Sequence, residues 1–167
     1  MTKETPNSAD VDYMTMMIPH HQQAVELSDL LLVKPGVWER GRRYAEFVRA
    51  AQAREVETMR RWLDAWGAAA HGPHADAVST CDHSGPMPGM LTDDQVAAVR
   101  TAAAAAAQLL YLRLMIPHHD GALDMAYDEI AAGSNAYAIS VAKHVVQDQL
   151  GEIAAMESMI AELTAGP

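Results

Sequence analysis

A chain of 167 residues and 18.1 kDa with 50% hydrophobic residues can bury about two-thirds of its unfolded surface in one core, which excludes disorder throughout. Twelve basic against 22 acidic residues give a formal charge of -10, which argues against a broad phosphate-binding surface and so against nucleic acid as a partner. The single cysteine, Cys81, leaves no internal disulfide framework, and no apolar run approaches the roughly 18 residues of a membrane span.

The opening segment MTKETPNSAD is polar and carries no secretory h-region. The expected location is therefore cytoplasmic, or periplasmic or extracellular if a leader has been removed. The first helix is expected over about 10–33. Met14, Met17, His21 and Ala24 lie along one of its sides at spacings of three and four, with His20 beside that side. Pro19 removes the donor that would reach the Thr15 carbonyl, so a kink or local bulge is expected there. Pro35 and Gly36 end this helix in a short turn.

The second helix, about 38–68, presents Tyr44, Phe47, Ala51, Val56, Met59, Trp62 and Leu63 for burial. Gln52 and Glu55 share one face, and Glu57 forms an ordinary surface pair with Arg61. Trp38, Trp62 and Trp66 read as packing; an exposed aromatic among them would mark a dimer surface. Residues 69–91 are punctuated by Gly and Pro and form the long connection. They carry a second concentration of nitrogen and sulfur donors: His71, His74, Cys81, His83, Met87 and Met90. Lacking the paired cysteines of a structural zinc site, these are either ordinary loop residues or a labile copper-binding segment.

A third helix is expected over about 92–131, its start marked by Thr92 and, three residues on, Gln95, a capping box by residue type. Leu112, Met115, His119 and Ala122 repeat the first helix's stripe, with His118 beside it and Pro117 removing the donor to Arg113. Gly133 and Ser134 make a second short turn, with Ser134 or Asn135 capping a last helix over about 134–163 that carries Gln149 and Glu152.

The strongest organisational signal is an internal repeat: MIPHH stands at Met17 to His21 and again at Met115 to His119. Tyr13 answers Tyr111, Ala24 answers Ala122, and Gln52, Glu55 and Met59 answer Gln149, Glu152 and Met156. The fold class that follows is all-α: a four-helix bundle made of two repeated helical hairpins in one domain. Its parts are repeat one over 10–68, the connecting loop over 69–91 and repeat two over 92–163.

If the halves pack face to face, the imidazoles point toward the interior. Nitrogen and thioether donors together suit copper, and carboxylates widen the choice toward zinc or iron. The candidate metal ligands are His20, His21, His118, His119, Met17, Met115, Glu55, Glu152, Gln52 and Gln149. Adjacent histidines diverge by about 100 degrees on a helix, so the expected pairing takes one from each half. A buried Glu needs a hydrogen bond, a proton or a cation, and a neighbouring imidazole serves as plainly as a metal.

Three functions remain: a metal-binding bundle for sequestration or handling, a structural or interaction bundle with a metal-free polar core, and a metal-dependent oxidoreductase. The chain lacks a glycine-rich phosphate loop, HExxH, GxSxG and the Glu-x-x-His arrangement of di-iron bundles, so a non-enzyme is favoured. The expected partner is a metal ion; a homodimer is the alternative to a lone chain.

The blocks DVDYMTMMIPHHQQAVELS, AAQAREVETMRRWL, MPGML and QLLYLRLMIPHHDGALDMA resemble the domain-of-unknown-function 305 family in its duplicated form. The resemblance implies a ferritin-like four-helix bundle and, for some members, an association with copper. The family's pattern falls on Met17, His20 and His21, on Met115, His118 and His119, and on the two Gln, Glu and Met sets downstream. Asp10 matches the family's acidic position, whereas repeat two has Gln108 there, which implies an asymmetric or degenerate pair of sites.

Overall fold

The computed structural model describes residues 5–70 and 87–165, with backbone alone for 67–70. Among them are five helices: α1 (Ser8–Leu32), α2 (Glu39–Ala70), α3 (Asp93–Thr101), α4 (Ala104–Ala132) and α5 (Ala136–Thr164). The hairpins α1–α2 and α4–α5 pack on each other through α1 and α4. Tyr111 reaches Ser28 while His20 stacks on His118, so α1 and α4 run antiparallel.

Several ends form as their residue types dictate. Gly36 takes φ +84 in the turn after α1, a conformation costly for any residue with a Cβ. The Thr92 side chain accepts from Gln95 N at 3.3 Å and the Gln95 side chain accepts from Thr92 N at 2.9 Å, completing the capping box. Asn135, of the two candidates, caps α5 by accepting from Ala138 N at 3.1 Å. Thr92→Ala is expected to cost about 1 kcal/mol, seen as faster amide exchange across α3 with the long helices unchanged.

The single third helix expected over 92–131 is instead two, α3 and α4, separated by Ala102 and Ala103 with ψ 148 and 155. Alanine propensity favours continuity here. The break lets α3 fold back so that Val96 and Val99 are buried, and Lys34 Nζ donates to the Arg100 and Ala102 carbonyls at the end of α3. Burial thus outweighs local preference. Phe47, expected in the core stripe, is 56% exposed. The buried phase of α2 runs instead through Ala45, Val48, Gln52, Val56, Met59 and Trp62. No bulge forms at the prolines: α1 and α4 stay α-helical on both sides of Pro19 and Pro117.

The core divides into two apolar clusters. One gathers Leu27, Leu31, Val48, Tyr111, Met115, Met156 and Met159; the other gathers Tyr13, Met14, Met17, Met59, Trp62, Met125 and Val145. On every long helix polar residues lie between the two clusters: His20 and His21, Gln52 and Glu55, His118 and His119, Gln149 and Glu152. A polar layer therefore crosses the middle of the bundle.

Contacts between the halves fix two helix starts. Asp10, on α1, accepts from the backbone N–H groups of Ser134 and Asn135 just before α5. Its counterpart Gln108, on α4, accepts from Trp38 N at 3.0 Å just before α2. The Asp10-to-Gln108 difference thus lies at a helix junction, away from the histidine layer, and does not by itself make the histidine sites unequal.

Candidate functional site

All four repeat histidines are buried: His20, His21 and His119 at 0% exposure and His118 at 1%. Both members of each pair face inward, where only one was expected. The reason is the 100-degree divergence itself, because α1 is covered by α2 and α4, and α4 by α5 and α1. His21 faces α2, placing Nε2 2.6 Å from Glu55 Oε2. His20 faces α4, stacking on His118 with ring centroids 3.8 Å apart. His119 repeats the first contact in the second half, its Nε2 2.5 Å from Glu152 Oε2.

The Glu152 carboxylate accepts from His119 Nε2, whereas His21 Nε2 lies against Glu55 without completing a hydrogen bond. Nδ1 of His20, His21 and His119 is buried and unpartnered. The His20 carbonyl acts on the His118 ring, but neither nitrogen of that ring completes a hydrogen bond. Gln52 and Gln149 are each 1% exposed; both polar side-chain atoms of Gln52 and the Gln149 oxygen have no partner.

Burial first, then His21 and His119, push the His20 imidazole down to about 3. Burial and then His20 hold His118 well below its ordinary value. These two rings are consequently neutral at physiological pH, the form that ligates metal. Met17 and Met115 are fully buried, one in each apolar cluster, at positions one turn before the histidines. Among the described residues no three His, Cys, Asp or Glu side chains already form a coordination shell. The layer thus offers donors rather than a finished cage, and thioethers or ring movement must complete one.

The connecting segment reaches this layer. Pro88 O lies 3.1 Å from His20 Nε2, so Met87 and Met90 belong to a turn lying over the histidines. His71, His74, Cys81 and His83 fall outside the described residues. Sequence reasoning named neither the Pro88 carbonyl nor Gly121, on which the turn rests. Gly121 lies inside α4 where repeat one has Gln23, and a helix-interior glycine signals close backbone approach.

A separate polar group sits at the end of α1 and α4. Burial alone would raise the Asp10 carboxyl, but hydrogen bonds from Asn7, Glu129, Asn135 and Ser134 outweigh it and hold it below its ordinary value. Burial first, then the hydrogen bond and charge of Asp10, push Glu129 up to about 8. Glu129 also lines a hollow of about 360 Å³ with Tyr13, Met16 and Met125. The Tyr13 hydroxyl is unpartnered because Ala126 stands where Ser28 serves Tyr111 in the other half.

The model of the family described as Domain of unknown function (DUF305) matches residues 10–160. A DUF305 protein of Streptomyces coelicolor shares 30% identity and a TM-score of 0.80, over 93% of each chain. A DUF305 fragment of Deinococcus radiodurans shares 25% identity and a TM-score of 0.77, over 93% of this chain and 97% of that one. CopM in its Cu(I)-bound form is similar in fold at 23% identity and a TM-score of 0.71, over 93% of this chain and 97% of that one. No curated protein matches the chain. Among the described residues no helix is long and apolar enough to cross a membrane.

Proposed function

The chain belongs to the DUF305 family, and on that premise we propose that it binds a transition-metal ion in the histidine layer, copper before zinc or iron, and sequesters or hands on that ion. The observation that carries this is the set of six buried imidazole nitrogens that complete no hydrogen bond: Nδ1 of His20 and His119 and both nitrogens of His21 and His118. Each unpartnered buried polar atom costs about 1–3 kcal/mol. A bundle selected only for stability has no use for so many in one layer.

The donor set fits such an ion. Glu55 and Glu152 stand behind His21 and His119 in the carboxylate–histidine arrangement that fixes a metal-binding imidazole's orientation and raises its basicity. They then act on the imidazoles rather than on the metal. Soft thioethers at Met17 and Met115 beside neutral imidazoles favour copper, reduced copper above all. CopM, the fold relative bound to Cu(I), supports the same direction.

The His21–Glu55 and His119–Glu152 pairs favour one rival reading, a polar core that closes on itself without metal. Titration of tag-free protein with Cu(I), Ag(I) and Zn(II), followed by thermal unfolding, separates the two. Metal binding is expected to raise stability by about 2.7 kcal/mol at a free concentration a hundred times Kd. The doubly substituted protein His21→Ala, His119→Ala is expected to lose that response. Unfolding of the wild type that ignores all three metals would establish the metal-free core instead.

A further inference from the structure

We infer that the Pro88 carbonyl is a positioning group for metal binding, holding His20 so that Nδ1, and not Nε2, is offered to the ion. The inference rests on the metal-binding reading but makes a claim testable without metal. A carbonyl oxygen can only accept, so the 3.1 Å contact to His20 Nε2 requires the hydrogen on that nitrogen. Nδ1 is then the bare nitrogen, and it is buried without a partner.

The segment that carries this carbonyl is held by backbone geometry. Met90 N donates to Met87 O at 3.2 Å, and Gly89 has φ +75. With Pro88 before it, the segment has the residue pattern of a type II turn. Gln23 grips the next residue from both sides: Nε2 donates to Leu91 O at 3.0 Å and Oε1 accepts from Leu91 N at 2.8 Å. Against α4 the fit is closer still. A Cβ on Gly121 would lie 2.2 Å from Pro88 O, and one on Gly89 would lie 2.7 Å from the carbonyls of both Pro117 and His118.

Gln23 and Gly121 occupy the same position in the two repeats, one clamping the turn and the other making room for it. No turn carbonyl meets His118: only the His20 carbonyl acts on its ring, and neither ring nitrogen completes a hydrogen bond. The turn therefore makes two repeat-related histidines unequal: His20 is preset and His118 adapts to the ion. Such outer groups typically alter metal affinity by about 10- to 100-fold.

The test uses the full chain with ¹⁵N-labelled histidine, and Ag(I) as a redox-silent probe. In metal-free protein the His20 signals are expected to show a protonated Nε2 and a bare Nδ1; on adding Ag(I), Nδ1 should shift while Nε2 keeps its proton. Gly121→Ala forces the turn off α4 while favouring the helix, and Gln23→Ala releases the clamp from the other side. Each is expected to retain helical circular dichroism, speed the exchange of the His20 Nε2 proton, and weaken Ag(I) binding by at least tenfold. A bare Nε2 at His20, or both variants binding Ag(I) as tightly as wild type, would overturn the inference. Wild-type protein that binds neither Ag(I) nor Cu(I) yet shows the protonated Nε2 would overturn the metal-binding reading and with it the offered-ligand role, leaving only the tautomer assignment.

Discussion

Protein carrying His118→Leu is expected to be more stable than wild type in the presence of a chelator, by about 1–2 kcal/mol, and to bind copper at least about 100-fold more weakly. His118 is 1% exposed with both ring nitrogens unpartnered. Replacing it with an apolar side chain removes that desolvation cost, on the order of 1–3 kcal/mol for each polar group. Lost stacking on His20, at a centroid separation of 3.8 Å, returns part of the gain, about 0.5–1 kcal/mol. Urea unfolding in chelator measures the first effect and competition titration with Cu(I) the second. A residue retained for packing would behave in the opposite way, its loss destabilising the fold and leaving metal affinity unchanged. A gain in stability coupled to a loss of binding is the mark of a site maintained against the interests of the fold.

The second large effect is a dependence on pH located at Glu129. Asp10 already accepts from Asn7 N, from Ser134 N and Oγ, and from Asn135 N, so it is the ionised member of the pair and Glu129 holds the proton. The folded chain keeps that proton up to about pH 8, whereas the unfolded chain releases it near 4.5. Between those values the folded state binds more protons than the unfolded one, so stability falls as pH rises through the window. Glu129→Gln keeps the size and polarity of the side chain beside Asp10 and has nothing to titrate. The variant is expected to match wild type near pH 4.5 and to exceed it by about 2–3 kcal/mol at pH 8, a figure set below the full linkage value because Glu129 borders an open hollow. Equilibrium unfolding of both proteins from pH 4.5 to 8 checks this. A difference that stays constant with pH would show that no proton is shared.

The parts of the molecule legible in the sequence are those governed by local or repeated patterns. Helix ends at Gly36, Thr92 and Asn135 follow from the chemistry of those residues, and the repeated MIPHH segments point to an interior histidine from each half. What escaped depended on which neighbour covers which face. The two sides of α1 are occupied by α2 and α4, so both His20 and His21 are interior, a fact no single-helix periodicity contains. Size misled at Phe47, because the buried phase of α2 runs through Ala45 and Val48 and leaves the larger Phe47 outside. The break before α4 lies in a run of alanines whose propensity favours helix throughout; it is imposed by burial of Val96 and Val99. The Pro88 carbonyl is a backbone group, and only the misplaced glycine at 121 hinted at it.

The crossing contacts of Asp10 and Gln108 bear on how such a molecule holds together. Each hairpin supplies the acceptor that begins the other's second helix, and the stacked histidines join one hairpin to the other. Neither is a finished module: a chain cut between them would hand both pieces an exposed helix start and an open half-layer. The two hairpins complete each other within one chain. Joining them replaces an encounter between molecules with a high effective concentration within one. Within that one chain the matching positions do different work, Gln23 clamping the turn and Gly121 seating it.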